Sequence, residues 1–491
     1  MKSLNRFALV AAVLAVCAGA AMVGSAAVVN AATAGGKCSK VGQTQKIKGV
    51  TFVCKKTGSK LVWAKSAAGK SASTSTVTTA PRTSSTSTSP ATSTTSTAPA
   101  TSSTSTSPAT STTSNVPATS STTTTPALSN TPTAECKLPV ADGRGDVSIG
   151  GWPRITERSK TTGTVNATVI MVDFSDAPAT MTPQAAFAKI SGATATFSEV
   201  SYGQLNYAFN PQYKWYRMSK PSTQYAPLTQ SFVTHRAYIA EAAALADAEV
   251  DFSTTDNIII LANPDARGLG MAGPAFSAIR GNGITLDGKY ISNGTTSAYD
   301  LNYWKSIWLN HEITHTMGLV DVYAATRENS ANSYDGHRYV GEFSYMGFSS
   351  FEGNAPGLFA FERWNLGWID DAQIVCSSAK EISQLITPVQ SAGGIKAVIV
   401  PLSRTKALVV ESRRAIGLDS KIAKTGALVY IVDSSVQSGY GPVKIYPSSV
   451  STDPRYLQAP RAVGESVTVE GITVSVTSAT SAGDTVSIKR P

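Results

Sequence analysis

Residues 71–133 cannot contribute to a hydrophobic core. The stretch is written almost wholly in Ser, Thr, Ala and Pro, and prolines return every nine residues at Pro81, Pro90, Pro99, Pro108, Pro117 and Pro126. Spaced prolines hold a chain extended, and the short hydroxyl side chains have little to bury, so a stalk without tertiary structure is expected, a candidate for O-glycosylation. The tract divides the 491 residues into an N-terminal appendage and one large globular part. The expected boundaries are 1–34 for an export signal, 35–66 for a small basic module, 67–134 for the stalk, and 135–370 and 371–491 for the globular remainder.

The export signal is read from Lys2 and Arg6, the uncharged Ala/Val/Leu run that starts at Phe7, and the small residues Ala32-Thr33-Ala34 that close it. No charge falls between Arg6 and Lys37, so an uncleaved membrane anchor is the competing reading. Cys17 sits in only a loose likeness of a lipid-attachment box. The expectation is a secreted or cell-surface protein without stable membrane insertion after cleavage. Cleavage removes Cys17 and leaves four cysteines, an even count that suits an oxidising compartment, with Cys38–Cys54 and Cys136–Cys376 as the expected pairs.

The net charge of +10 is unevenly spread. Twelve Lys and Arg and no acid lie at or before Arg82, so the rest of the chain sums to about −2 and nucleic acid is not an expected partner. Between Cys38 and Cys54 lies the β-prone run Val50-Thr51-Phe52-Val53, followed by Leu61-Val62-Trp63, which reads as a disulfide-pinned hairpin. Its lysines suit docking to an anionic cell-envelope polymer; a merely solvated basic face is the plainer alternative.

Beyond Cys136 the sequence turns globular. Val169–Phe174 and Ile258–Leu261 read as buried strands and Ser231–Ala248 as a helix. After Asp370 come short strands parted by turn residues, among them Ala397–Val400, Leu408–Val410, Ala427–Val432 and Ile472–Val476, so 371–491 is expected to be a β-rich, sandwich-like module.

The chemistry is concentrated in His311-Glu312-Ile313-Thr314-His315-Thr316-Met317-Gly318-Leu319-Val320-Asp321, which follows a mostly apolar run from Trp304. On a helix, residues four apart share a face, so His311 and His315 can offer imidazoles to one metal while Glu312 stands aside as a general base. A catalytic zinc needs a third protein ligand, and a helix running straight on would carry it away. Gly318 allows the left-handed backbone that ends a helix, letting the chain double back until Asp321 reaches the metal. Two surface histidines beside a Glu is the bland alternative, but the chain has only four histidines and two stand in this register.

The pattern resembles the metzincin class of zinc metallopeptidases, and with Asp as the third ligand it resembles the immune inhibitor A family. The likeness extends to Val172–Asp176, to Ser201-Tyr202-Gly203-Gln204-Leu205, to Phe343–Phe348 and to Phe361–Trp368, covering about 163–370 and weakly Glu411-Ser412-Arg413. It implies an α+β fold: a metzincin-like peptidase domain over 135–370, a twisted sheet plus helices around a cleft, followed by the β-sandwich-like module. It also implies that Met346 forms a tight turn beneath the zinc. This chain departs from several metzincins in having Phe348 where a helpful tyrosine stands two residues after that methionine; Tyr323, Tyr345 and His337 are the remaining candidates to stabilise an oxyanion. Calcium is suggested as a second ion, with Asn263–Gly270 as a candidate loop.

The expected activity is that of a secreted zinc-dependent endopeptidase acting on proteins or peptides through metal-activated water, with Glu312 as base. The alternative from another class is an exported, stalked binding or adhesin module with a non-catalytic zinc site. A Cys136 thiolate latch on the metal of a dormant precursor is a third reading.

Overall fold

A computed structural model describes residues 41, 44–47, 50–57, 60–65 and 131–491, apart from 141–147, 229–230, 272, 326–335, 353–354 and 447–454. The expected export signal and almost all of the expected stalk lie outside the described residues. Among the described residues no helix is long and apolar enough to cross a membrane. The chain divides into a small unit within 22–126 and a large one that includes 127–491.

In the small unit, β1 (Thr44–Ile47), β2 (Val50–Thr57) and β3 (Lys60–Lys65) form an antiparallel meander, one strand more than the expected hairpin. Cys54 lies opposite Trp63 in the β2–β3 register, and these two side chains are its buried centre. Cys54 is disulfide-bonded; its expected partner, Cys38, lies outside the described residues.

The large unit is mixed α and β, with several sheets and few helices. In its first part β4 (Gly163–Asp173) is followed by α1 (Pro183–Ala188), α2 (Ala193–Val200), β5 (Leu205–Arg217), α3 (Phe232–Ala246) and β6 (Asn257–Ala262). Next come β7 (Ala275–Ser277), the hairpin β8 (Ile284–Leu286) and β9 (Lys289–Ile291), and β10 (Asn293–Thr296). The chain continues through α4 (Ser306–Met317) and α5 (Ala360–Asn365). One sheet has the order β5-β4-β6-β10-β7; its first four strands are parallel and β7 runs antiparallel along the edge. The segment 280–294 forms the β8–β9 hairpin and leads into the inner strand β10.

Alternation along the strands decides what each face of this sheet holds. Val165, Ala167, Val169 and Met171 of β4, with Ile259 and Leu261 of β6, point into a core shared with Phe197 and Val200 of α2 and Leu309, Ile313 and Met317 of α4. Ile170, Val172, Ile258 and Ile260 point the other way, onto Tyr238, Ile239, Ala242 and Ala246 of α3. A sheet covered on both faces needs nearly continuous apolar strands, which is why β4 and β6 were legible as buried runs. Ser231 caps α3 by accepting a hydrogen bond from the Thr234 N–H, the preferred way to satisfy a free amide at a helix start.

The remainder contains β11 (Ile374–Cys376), β12 (Glu381–Ile386), β13 (Ala397–Pro401), β14 (Lys406–Arg413), β15 (Gly426–Asp433), β16 (Val443–Ile445), β17 (Ser466–Val469), β18 (Ile472–Thr480) and β19 (Gly483–Lys489). Sheets β11-β13-β14-β15-β16 and β12-β19-β18-β17 face each other across Val398, Leu408, Val410, Val429, Val474 and Val486, a sandwich core. The other face of the five-stranded sheet, with Ile399, Val409, Leu428, Tyr430 and Val432, belongs to the core that holds α4. The change at 370/371 is therefore one of architecture, while the core runs through it. Cys136 and Cys376 are disulfide-bonded. That pairing was expected, and it leaves Cys136 no thiolate for a latch.

Candidate metal centre

Helix α4 carries the motif across the floor of the first sheet. Trp308 Nε1 donates to Gly273 O at 2.9 Å and Asn310 Nδ2 to Ala193 O at 3.0 Å, so the helix is fixed on both sides just before His311. It stops at Met317 because Gly318 turns to φ 115°, a left-handed conformation that a side chain would strain. Gly318 N–H then donates to His315 O, and Leu319 N–H to Thr314 O, the wrap that satisfies the last carbonyls of a helix.

The reversal brings Asp321 back to the histidines. His311 Nε2, His315 Nε2 and Asp321 Oδ1 stand 3.2 Å from one another along each edge of a triangle. His311 and Asp321 are buried and His315 half-buried; among the described residues this is the one His/Cys/Asp/Glu group spaced to hold a metal ion. Tetrahedral zinc ligands at about 2.0–2.1 Å lie roughly 3.3 Å from each other, so the donor set fits such an ion.

The imidazoles are aimed by backbone. His311 Nδ1 lies 2.9 Å from Tyr345 O and His315 Nδ1 lies 2.9 Å from Leu319 O. A carbonyl can only accept, so each Nδ1 carries a hydrogen and Nε2 is the ring atom that faces the centre of the triangle, its lone pair open to a metal once the ring is neutral. Burial pushes the Asp321 carboxyl up, but the neighbouring His315 and His311 outweigh it and hold Asp321 well below the usual carboxylate range. Burial pulls His311 down, while its bond to Asp321 and the charge of Glu312 raise it to about 8.

Glu312 lies outside the triangle. Ala275 N–H, on edge strand β7, donates to its Oε2 at 2.8 Å, and burial raises its proton affinity above that of an ordinary glutamate. Beside Glu312 and His311 opens a recess also lined by Asp300, Trp304, Ile307, Trp308 and Ser350. Burial drives the Asp300 carboxyl up to about 8 against the pull of the N–H groups of Ala298, Gly273 and Leu301.

The turn that holds Met346 lies against the centre through main-chain bonds: Tyr345 O takes His311, and Met346 O accepts from Val322 N–H at 3.1 Å. Ser344, at φ 71°, accepts from Met346 N–H and donates to Glu362 Oε2. Of the three residues considered for an oxyanion, Tyr323 stacks near His311 with ring centroids 6.4 Å apart. The Tyr345 hydroxyl is bonded to Thr314 Oγ1, and His337 Nδ1 to Gly341 O. In the candidate calcium loop, Asn263 Oδ1 accepts from Asp265 N–H and its Nδ2 donates to Ala177 O.

All four residues singled out in the motif are thus brought together. Sequence reasoning missed Ala275, Asp300, Ser438 and the carbonyls of Leu319 and Tyr345. Backbone groups carry no residue-type signal, and Ser438 lies 117 residues beyond Asp321 in an unremarkable turn. No protein-family model and no curated protein matches the chain.

Proposed function

We propose that this protein is a zinc-dependent endopeptidase that works outside the cell or on its surface, of metzincin type and akin to the immune inhibitor A family. The observation that carries the reading is the 3.2 Å triangle of two imidazoles and one carboxylate with a buried glutamate next to it in sequence but outside the donor set. His311, His315 and Asp321 would hold the ion. A structural zinc site closes with four protein ligands, usually rich in cysteine, whereas three ligands leave a position for chemistry. Two nitrogens and a carboxylate also suit zinc better than the hard cations, which prefer oxygen alone.

Zinc, when bound, supplies Lewis acidity, bringing a water within reach of deprotonation near neutral pH and polarising a carbonyl. The chain's own residues do the rest. Glu312, turned by the Ala275 amide so that one oxygen is occupied, takes the proton of the attacking water on the other and returns it to the departing amine nitrogen. Its burial favours the protonated form it must pass through. No covalent acyl-enzyme is needed. Strand β7 is a sheet edge, and its Ala275 amide faces outward to Glu312. Among the described residues no further strand pairs with the outer side of β7, so apart from the Ala275 amide that Glu312 occupies, the edge suits an extended polypeptide, which favours peptide over other acyl substrates.

The test is metal content and casein or gelatin cleavage by the mature chain, by Glu312→Ala, and by each in the presence of a zinc chelator. The expected result is one zinc in both proteins, with cleavage by the variant lower by about 10²–10⁴-fold. Zinc in both with cleavage in neither would favour an exported binding module; a parent without zinc would sink the reading.

A further inference from the structure

We infer that Ser438, on the connection between β15 and β16 of the C-terminal sandwich, is a positioning residue for the metal centre. Ser438 Oγ accepts from the Asp321 N–H at 3.1 Å and donates to Asp321 Oδ2 at 3.2 Å. The next residue, Gly439, donates its N–H to Asp321 O at 3.1 Å. The amide, the carbonyl and one carboxylate oxygen of Asp321 are therefore all engaged by two residues of a distant loop. The other oxygen, Oδ1, is the one that lies 3.2 Å from both histidines. A hydroxyl held on one oxygen stops the carboxylate turning about its Cβ–Cγ bond and so fixes where the other oxygen lies.

The loop can do this because it is itself tied down. Ala325 N–H donates to Gly439 O at 3.0 Å, Ser434 N–H to Thr405 O at 2.8 Å, and Ser434 Oγ to Pro139 O at 2.7 Å. Gln437 forms an isolated antiparallel bridge with Ser148. A hydroxyl that orients a ligating carboxylate typically changes metal affinity by about 10–100-fold when removed. The inference rests on the triad being a metal centre and is independent of peptide hydrolysis.

The experiment uses the full mature chain, stripped of metal and titrated with cobalt(II) against a chromophoric chelator, with the cobalt absorption spectrum recorded for the parent, Ser438→Ala and Ser438→Thr. Ser438→Ala should bind cobalt about 10–100-fold more weakly, with an altered spectrum. Ser438→Thr, which keeps the hydroxyl at a half-buried position, should restore both. Metal-free near-ultraviolet circular dichroism should be the same for all three, separating positioning from folding. Equal affinity for the parent and Ser438→Ala would overturn the role of Ser438, as would a Ser438→Thr protein no better than Ser438→Ala. A parent that binds no cobalt would instead remove the metal-centre reading on which this one stands.

Discussion

At the scale of single residues, the site depends on backbone conformations that few side chains tolerate. Gly318 is the clearest case: a Cβ there would meet only Arg158 Nε at 3.9 Å, so space is not the reason for glycine. The left-handed φ is. Gly318→Ala should destabilise the protein by about 1–2 kcal/mol in a denaturant titration and weaken metal binding, because the strain falls on the turn that delivers Asp321. Glu362, in helix α5, matters through burial and not through backbone conformation. It is buried, its Oε2 holds the Ser344 hydroxyl and the Phe359 amide, and among the described residues its Oε1 has no partner. Burial raises this carboxyl from 4.5 to about 7. A neutral carboxyl favoured by the fold contributes stability that is complete below about pH 4.5 and is lost as the pH rises through about 7, a change on the order of 3 kcal/mol. Glu362→Gln cannot ionise, so its melting temperature should gain on that of the parent across this window; parallel curves would refute the assignment.

At the scale of elements, what was readable was what periodicity and capping encode. The helix expected at 231–248 is α3, Phe232–Ala246, and its N-cap is the serine that the sequence offers. The strands expected around Val169 and Ile258 are β4 and β6, each extended beyond the apolar run by residues that pair without being uniformly hydrophobic. Strand β7 was not foreseen: three residues carry no period, and its partner β10 is itself seated against β6 through Gly294, where a Cβ would lie 1.9 Å from Ile258 O. The disulfide ties the entry to the globular part to β11 across a separation of 240 residues. Replacing both cysteines by serine should cost about 2–5 kcal/mol, seen as a lower unfolding midpoint that no longer responds to reductant.

At the scale of the whole molecule, one core serves both the metal-bearing helix and the sandwich. Phe361 and Trp364 of α5, Val409 of β14 and Tyr430 of β15 belong to the same cluster as Ile313 and Met317. The charged groups continue the join: Arg413, wholly buried, pairs with Glu411 and Asp419 and donates to the carbonyls of Gly357 and Leu358. Tyr202 donates its hydroxyl to Val389 O at 2.6 Å. A chain ended at Asp370 would expose this apolar face and leave the buried partners of Arg413 behind. It should lack a cooperative thermal transition by circular dichroism, whereas a free-standing catalytic half would melt as sharply as the intact protein.

The sequence by itself determined the gathering of the excess positive charge at or before Arg82, the apolar strands, and a candidate metal-ligand pattern whose four residues lie within eleven positions. Each of these is local: composition, period and spacing act over a few turns of chain. Tertiary structure alone decided how the Asp321 carboxylate is turned toward the histidines, that the Tyr345 carbonyl orients His311, and which strand amide holds Glu312. Those groups arrive from Tyr345, Ala275 and Ser438, far along the chain, and only the folding of a shared core brings them within hydrogen-bond reach.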